Sequence, residues 1–375
     1  MNNEKIIHII CHDVPWPVNY GGVVDLFYKL KALHEEGVKI KLHCFDYGRG
    51  KHEELNKYCS EVNYYDRKRG WKGLSFTKPY IVSSRANKGL LNNLLKDEYP
   101  VLMEGIHCTA FLKPLLSANK KVFLRLHNVE CLYYSQLFQR ETNFFKKLYF
   151  LNESIFLRHY ERRLPEYIPV LAVSPNDATF YKLELDKKNT NYLPVFIPHT
   201  TINGREGMGS YCLYHGNLSV PENVKAVHWL IDKVFSLTYT PFVIAGKDPS
   251  KKLMRKVEKN KNICVIANPS ENEMNDLVAK AHIHVLPSFN NTGVKLKLIH
   301  AIYNGRHCVV NDAAVEGTGL EPACHIGSNH VAFASIITQL YHQPFAIEEI
   351  ELRKKLVQQI FNNKENVRQL IRWIW

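Results

Sequence analysis

Short apolar segments alternate with segments of helical periodicity along both halves of this 375-residue chain. Strands are predicted in the first half at "KIIHIIC", "VKIKLHCF", "PVLMEG", "KKVFLRLHN" and "IPVLAVS". In the second half they are predicted at "YCLYHG", "PFVIAG", "NICVIAN", "HIHVLPS" and "RHCVVN". The segment "VVDLFYKLKALHEEG" has apolar residues at helical spacing and a closing Gly37, which predicts a helix with a C-cap. Such alternation is typical of parallel α/β sheets.

The chain is too long for one ordinary core and suits two domains. The segment Leu193–Ser210 is rich in Pro, Gly, Thr and Ser, which indicates a hinge. We predict an α/β fold of two tandem doubly wound, Rossmann-like domains facing a cleft, over 1–195 and 211–345, with a linker over 196–210. Helices follow over 346–375, and they either stay with the second domain or cross back to the first. In such sheets ligands bind outside the carboxyl ends of the strands.

Composition excludes several classes of protein. No apolar run approaches the ~20 residues of a membrane-spanning helix, and the N-terminus "MNNEKIIHIICHD" has no secretory signal pattern. The nine cysteines are scattered and contain no C-x-x-C pair, which argues against a disulfide framework or a cysteine zinc site. We therefore expect a reducing, cytoplasmic location.

The formal charge of +13 suggests an anionic partner, either nucleic acid, an anionic membrane surface or a phosphorylated small molecule. The segment Arg140–Pro165 mixes Lys and Arg with Phe, Leu and Tyr, a pattern also seen in helices that lie on anionic membranes. An amphipathic helix packed on the core is the favoured interpretation, and the same holds for the terminal "IRWIW". No recognition motif of DNA or RNA modules is present, so we expect no nucleic acid as a partner.

Two segments of the first half carry polar residues or glycines at predicted strand ends. In "CHDVPWPVNYGGVVDLF", Gly21 and Gly22 stand where a helix begins, so the backbone could approach a ligand closely. Their spacing is neither the dinucleotide fingerprint nor a P-loop, and an ordinary strand–helix loop is an equal alternative. In "RLHNVECLYY", His127 follows a strand directly, which favours a role in the cleft.

The second half has two further segments of this kind. In "LYHGNLSVPENVKAV", Gly216 ends a strand and Asn217 follows it, before residues that ordinary helix capping explains. In "NNTGVKLKLIHAIYNG", one helix face is predicted to carry a stripe of four residues, namely Gly293, Lys297, His300 and Asn304. Capping oxygens are expected from Asn290, Asn291 and Thr292. A helix N-terminus with a lysine one turn in predicts a phosphate site.

These features together resemble the GT-B-fold glycosyltransferases, and within them the retaining family 4 enzymes that build bacterial surface polysaccharides. The resemblance rests on the tandem α/β halves, the Gly-Gly loop, "HNVE", "GNLSVPEN", "TGVKLKLIHAIYNGRHCVV" and "GTGLE". It covers essentially the whole chain. It implies a nucleotide-sugar donor, a glycan or lipid-linked acceptor, no cofactor and no metal; the sequence agrees in having no D-x-D acidic pair.

The resemblance also implies roles for individual residues. His127 matches the histidine near the transferred sugar, and with Lys297 it is the expected catalytic residue. The donor diphosphate would lie against Gly21, Gly22, Gly293, Lys295 and Lys297. The nucleoside would lie against Gly216, Asn217, His300 and Asn304.

The sequence departs from the family pattern at three positions. Thr292 and His300 stand where the family usually has two glutamates, and Asn217 stands in place of an arginine. A neutral His can still donate to or accept from a ribose hydroxyl.

We therefore expect transfer of a sugar to an acceptor hydroxyl, in the cytoplasm or at the inner face of the membrane. Lys297 is expected to stabilise the negative charge on the departing diphosphate. The alternatives are a nucleotide-sugar epimerase on the same fold and a non-catalytic protein that binds nucleotide sugars or glycans. The sequence leaves the nucleotide, the sugar and the acceptor open.

Overall fold

The computed structural model describes residues 4–19, 21–290 and 292–375. The chain forms two compact units, one of Met1–Pro198 with Phe361–Trp375 and one of His199–Ile360.

The first unit is built on a seven-stranded parallel sheet with the strand order β3-β2-β1-β4-β5-β6-β7. The strands are β1 (Ile6–Cys11), β2 (Lys39–Asp46), β3 (Glu61–Asp66), β4 (Val101–Glu104), β5 (Val122–Leu126), β6 (Val170–Ala172) and β7 (Thr190–Tyr192). The five strands predicted for this half are all present. The strands β3 and β7 were not predicted because polar residues interrupt their apolar pattern.

Helices cover both faces of this sheet. They are α1 (Gly21–Glu35), α2 (Tyr80–Ser83), α3 (Lys88–Leu94), α4 (Leu112–Ser117), α5 (Glu130–Arg140), α6 (Phe144–Arg162) and α7 (Pro175–Glu184), with short 3-10 helices at Glu53–Lys57, Gly70–Gly73 and Ile106–Phe111. On one face Ile7 packs with Leu26 and Leu30 of α1. On the other face Ile10 packs in a second core with Leu157 of α6. The central strands are apolar on both sides because both sides are covered.

Among its described residues, the second unit has seven helices. They are α8 (Pro221–Trp229), α9 (Lys251–Val257), α10 (Glu271–Lys280), α11 (Leu296–Asn304), α12 (Asp312–Val315), α13 (His330–Leu340) and α14 (Ile347–Ile360), with a π-helical turn at Leu230–Val234 and a 3-10 turn at Glu321–Ala323. The start of α10 carries a capping box between Ser270 and Glu273, which satisfies backbone N–H groups of the first turn.

The sheet of the second unit has six parallel strands in the order β10-β9-β8-β11-β12-β13. They are β8 (Cys212–His215), β9 (Phe242–Gly246), β10 (Ile263–Ala267), β11 (Ile283–Val285), β12 (His307–Val310) and β13 (His325–Ile326). The five strands predicted for this half are present, and the two-residue β13 is too short for a periodic signal. The predicted fold class, two parallel α/β sheets with C-terminal helices, is confirmed.

The last helix, α15 (Asn363–Ile374), belongs to the first unit, whereas α14 belongs to the second. Val367 and Leu370 of α15 lie in the core beside α1. Trp373 packs against the same core, while Trp375 is 44% exposed. The tryptophans of "IRWIW" therefore end a helix that packs on its own unit.

Candidate functional site

The segment that opens α11 differs from the predicted stripe at its first residue. The helix begins at Leu296, and Gly293 lies in the preceding turn with a φ of +65°. A left-handed φ ends helical geometry but suits glycine, which has no Cβ to clash. Lys297, His300 and Asn304 remain on one face of α11.

Lys297 lies in the first turn of α11 and is held by two neutral oxygen atoms. Its Nζ donates to the hydroxyl of Tyr214 at 2.9 Å and to Oδ1 of Asn223 at 3.0 Å, and it lies 4.6 Å from the centre of the Tyr214 ring. Burial lowers the pKa of Lys297 to about 8, against the opposing charge of Glu222. Lys297 is therefore still mostly a cation at pH 7. It has no carboxylate within ion-pair distance in the described part of the chain.

The loop before α11 is held by its own polar groups. Asn290 Oδ1 accepts from both the backbone N–H and the hydroxyl of Thr292, each at 2.9 Å. Lys295 Nζ donates to Thr292 O at 2.6 Å and to Gly293 O at 3.2 Å. The capping prediction for Asn290 and Thr292 is wrong, because the N-cap is Lys295 and has no side-chain cap; Asn291 lies outside the described residues. The first N–H groups of α11 are thus left uncapped by a side chain.

His300 lies in a group of aromatic rings. It stacks on His199, with ring centres 5.2 Å apart and planes 16° apart, and meets His215 edge-on at 5.6 Å. Burial lowers the pKa of His300, and burial followed by the charge of His300 lowers that of His199 to about 4. Both rings are therefore neutral at pH 7. They offer flat faces and one donor and one acceptor nitrogen each.

Three other predicted residues of the second unit, Asn304, Asn217 and Gly216, have contacts within that unit. Asn304 Oδ1 accepts from Asn203 Nδ2 at 3.0 Å, and its own Nδ2 donates to His300 O at 3.0 Å. Asn217 Oδ1 accepts from the backbone N–H and hydroxyl of Ser219 at 2.9 and 2.7 Å. Gly216 follows β8, and a Cβ on the neighbouring Gly246 would lie 1.8 Å from Gly216 O.

The first unit places His127 directly after β5, at the carboxyl edge of its sheet. Its Nε2–H donates to Glu104 Oε2 at 3.0 Å, and its Nδ1 lies 3.8 Å from Asp25 Oδ2. The side chain is 12% exposed, so the ring reaches the surface of this edge. Gly21 and Gly22 are the first residues of α1, as predicted.

Two buried cations neutralise the carboxylates beside His127. Lys29 Nζ lies 2.9 Å from both Asp25 Oδ2 and Glu104 Oε1, and Arg125 Nη2 lies 3.0 Å from Asp25 Oδ1. Chiefly through Arg125 and Lys29, the pKa of Asp25 stays far below its ordinary value although burial opposes this. The side chains of Asp25, Glu104 and His127 are close enough to hold a metal ion. The positive charges of Lys29 and Arg125, however, already neutralise the two carboxylates.

Residues 209–343, which contain all six strands of the second sheet, match the family model "Glycosyl transferases group 1". The chain is a glycosyltransferase. An uncharacterized 44.6 kDa protein in the cps region of Klebsiella pneumoniae is 26% identical over 387 residues, which are 96% of this chain and 97% of that relative.

Solved structures share the fold of this glycosyltransferase at low sequence identity. Sucrose-phosphate synthase from Thermosynechococcus elongatus has a TM-score of 0.72 at 14% identity, over 99% of this chain and 98% of the other. TarM from S. aureus has 0.69 at 12%, and HepE from Anabaena with UDP and glucose has 0.64 at 12%, each over 99% of both chains. The fold is therefore GT-B, as predicted. No helix among the described residues is long and apolar enough to cross a membrane.

Sequence reasoning missed most partners of the predicted site residues in this glycosyltransferase. Asp25 and Lys29 had one usable signal, since they lie four residues apart on the apolar face of a predicted helix. Tyr214 and His215 gave none, because aromatic residues in a strand are ordinary core residues. His199 gave none either, because it lies in the segment predicted as a linker.

Proposed function

We propose that the chain transfers a sugar from a nucleoside diphosphate sugar to a hydroxyl of a glycan or lipid-linked acceptor, with retention of configuration and without a metal ion. The observation that carries the proposal is the position of Lys297. It is a half-buried cation in the first turn of α11, held by neutral acceptors and not by a carboxylate. Such a cation is available to an anion, and the uncapped N–H groups beside it add to the attraction.

This arrangement suits the leaving group of sugar transfer. Breaking the bond between the sugar and the diphosphate places negative charge on the diphosphate oxygen. A fixed ammonium and oriented N–H groups stabilise that charge without having to reorganise. Lys295 then acts by holding the carbonyl groups of Thr292 and Gly293, which keeps the turn open for the diphosphate.

We propose that the nucleoside binds against the rings around His300. HepE from Anabaena and an Arabidopsis thaliana protein, UGT89C1, were both crystallised with UDP, which supports a nucleoside diphosphate as the leaving group here. A neutral His300 can accept from a ribose hydroxyl, as a carboxylate would, but with a weaker, uncharged bond. The relative in a cps region supports a role in polysaccharide synthesis.

His127 is proposed to contact the transferred sugar at the carboxyl edge of the first sheet. Because Glu104 accepts its Nε2–H, the orientation of the ring is set by a buried carboxylate.

The donor half of the proposal is tested by ligand-induced stabilisation. UDP, GDP and their sugar derivatives are added to the wild-type protein and to Lys297→Met, and the thermal shift is recorded. A ligand that binds only the folded state raises Tm according to its affinity and concentration. We expect a shift with one nucleoside diphosphate, its loss in Lys297→Met and partial recovery in Lys297→Arg. The control is Lys280→Met, an exposed lysine paired with Asp276.

Product analysis then tests the reaction. With the stabilising sugar nucleotide and a lipid-linked or oligosaccharide acceptor, we expect a glycosylated acceptor and a free nucleoside diphosphate. A changed sugar nucleotide without any acceptor would identify an epimerase instead. An equal shift in wild type and Lys297→Met would refute the role of Lys297.

We also propose that the first unit binds an anionic membrane surface, where a lipid-linked acceptor would lie. Four aromatic side chains there are 72% exposed or more, namely Trp71, Phe76, Phe144 and Phe145. The helix α2, which follows Trp71 and Phe76 in the chain, contacts α6, since Glu153 Oε1 of α6 accepts from Ile81 N–H of α2 at 3.1 Å. Basic residues lie among them, namely Arg67, Lys68, Arg69, Lys72, Lys146 and Lys147. Exposed aromatic and basic residues together suit anionic lipid.

Vesicle sedimentation tests this surface. We expect binding to vesicles containing phosphatidylglycerol, weaker binding to phosphatidylcholine alone, and a loss in the double variant Phe144→Ser, Phe145→Ser. The matched control is Tyr239→Ser, since Tyr239 is 96% exposed in the second unit. Binding that is equal on both kinds of vesicle, or unchanged in the double variant, would contradict the proposal.

A further inference from the structure

A second group of metal-ligand side chains lies at the amino edge of the second sheet. His307 is the first residue of β12, His325 is the first residue of β13, and Glu349 lies in the first turn of α14. One nitrogen or carboxylate oxygen of each lies within 4.8 Å of the others. Since α11 follows a strand at the opposite, carboxyl edge, this group is separate from the region around Lys297.

The tautomer of His307 is set by its surroundings. Its Nε2 lies 3.2 Å from the carbonyl oxygen of Gln343, which can only accept, so Nε2 carries the hydrogen. In the neutral ring, Nδ1 therefore presents a lone pair. This atom is buried, has no hydrogen-bond partner in the described structure, and lies 3.6 Å from Glu349 Oε2.

Two acceptors thus face each other with nothing between them to neutralise their lone pairs. The separation of 3.6 Å is too long for a good hydrogen bond. It is close to the distance of about 3.3 Å between two ligand atoms of a tetrahedral zinc ion with bonds of about 2.0–2.1 Å. A hydrogen bond from the other ring nitrogen to a backbone carbonyl is also the usual second-shell contact of a metal-bound histidine.

His325 supplies the third ligand. Its side chain makes no hydrogen bond within the described structure, and its ring centre lies 5.6 Å from that of His307. A neutral imidazole is the form that binds a metal ion.

We propose that His307, His325 and Glu349 bind a divalent transition-metal ion, with zinc as the best fit. Two nitrogens and one carboxylate oxygen suit zinc, whereas magnesium and calcium prefer oxygen ligands throughout. A water molecule would complete a four-coordinate site.

The neighbouring groups are consistent with this ligand set. His282, whose ring centre is 5.1 Å from that of His307, already uses both nitrogens, with Gly209 N–H at 3.0 Å and Leu340 O at 2.9 Å. Arg353 lies one turn after Glu349, and its guanidinium donates to Ile302 O at 3.2 Å and Gly305 O at 2.8 Å. The positive charge of Arg353 disfavours a bound metal ion, but its guanidinium forms no ion pair with Glu349 among the described contacts. In the first unit, by contrast, Lys29 binds Glu104 directly.

The bound ion would link the first residues of β12 and β13 to the first turn of α14. β13 has only two residues and pairs with β12 at a sheet edge. A ligand that binds the folded state alone stabilises it by mass action, so the ion would act as a structural link in the second unit.

The test uses tag-free full-length protein, stripped with a chelator and dialysed. Zinc is titrated by calorimetry, and cobalt is added to record the visible absorption of a tetrahedral site. We expect about one zinc per chain, a tetrahedral cobalt spectrum, and a rise in Tm on adding zinc. Affinity should fall at least tenfold in His325→Gln and in Glu349→Gln, on the scale of ligand-shell changes. It should also fall when the pH is lowered below about 6, because the imidazoles become protonated.

The control is His34→Gln, which removes an exposed histidine of the first unit. It should bind zinc like the wild type and show the same rise in Tm. Binding that is absent in the wild type, or equal in wild type, His325→Gln and Glu349→Gln, would overturn the proposal. His325 is partly exposed, so its replacement should leave the fold intact, and an unchanged Tm of the stripped variant verifies this.

Discussion

Two buried carboxyl groups of the first unit should make its stability fall as the pH rises. Glu130, the first residue of α5, is 5% exposed, and Glu161 of α6 is fully buried. Burial, followed by the charge of Glu161, raises the pKa of Glu130 to about 8, and burial raises that of Glu161 to about 7. Glu161 keeps its acceptor bond from the hydroxyl of Tyr181 at 2.9 Å.

The sign follows from proton binding. Between the ordinary value of 4.5 and the folded value of about 8, the folded state holds a proton on Glu130 that the unfolded state has lost. The stabilisation is therefore complete below about pH 4.5 and is lost as the pH rises through about 8. For Glu130 alone, these two values correspond to a loss of about 3 kcal/mol between pH 5.5 and pH 8.

Glu130→Gln replaces the protonated carboxyl by a neutral group of the same shape, and should remove most of this pH dependence. Urea unfolding followed by tryptophan fluorescence measures it, since Trp16, Trp71, Trp373 and Trp375 lie in the first unit. The control is Glu98→Gln, an exposed glutamate. We expect the loss of stability between pH 5.5 and 8 in wild type and Glu98→Gln, and a clearly smaller loss in Glu130→Gln. An equal loss in all three proteins would refute the reasoning.

Three further predictions follow from buried contacts. Asp25→Asn should lower the free energy of unfolding by about 3–5 kcal/mol, because it leaves Lys29 and Arg125 buried beside a neutral group; denaturant unfolding measures this, and a change under 1 kcal/mol would contradict it. Gly246→Ala should strongly destabilise the second unit, since its Cβ would lie 1.8 Å from Gly216 O. Gly207→Ala should destabilise it only modestly, because its Cβ would have no atom within 4 Å and only the φ of +81° is unfavourable for alanine. Thermal unfolding compares the two variants. Among the nine cysteines only Cys264 is exposed, so a thiol reagent should label one thiol rapidly in native protein and the rest after unfolding; rapid labelling of several thiols would count against the packing described.

The regular elements were largely predictable because their signals are local. Apolar runs of four or five residues marked β8, β9 and β10, and Gly37 marked the end of the α1 segment. The edge strands β3 and β13 escaped because an edge strand needs fewer apolar residues and a two-residue strand has no period. The start of α11 was placed three residues too early because Gly293 is compatible with a helical pattern but adopts a left-handed φ.

What the sequence by itself determined is the fold class and the position of Lys297 near the start of a helix, since both depend on residues close together in the chain. Only the tertiary structure decided which groups neutralise one another. Lys29 donates a hydrogen bond to Glu104 although the two residues are 75 positions apart in the chain, and Lys297 donates to Tyr214 although these are 83 positions apart. His307, His325 and Glu349 come together for the same reason, because parallel strands and the following helix bring their starts to one edge of the sheet. The spacing of these residues along the chain does not predict such contacts. Burial nevertheless makes them important for stability, because a buried polar group without a partner is unfavourable.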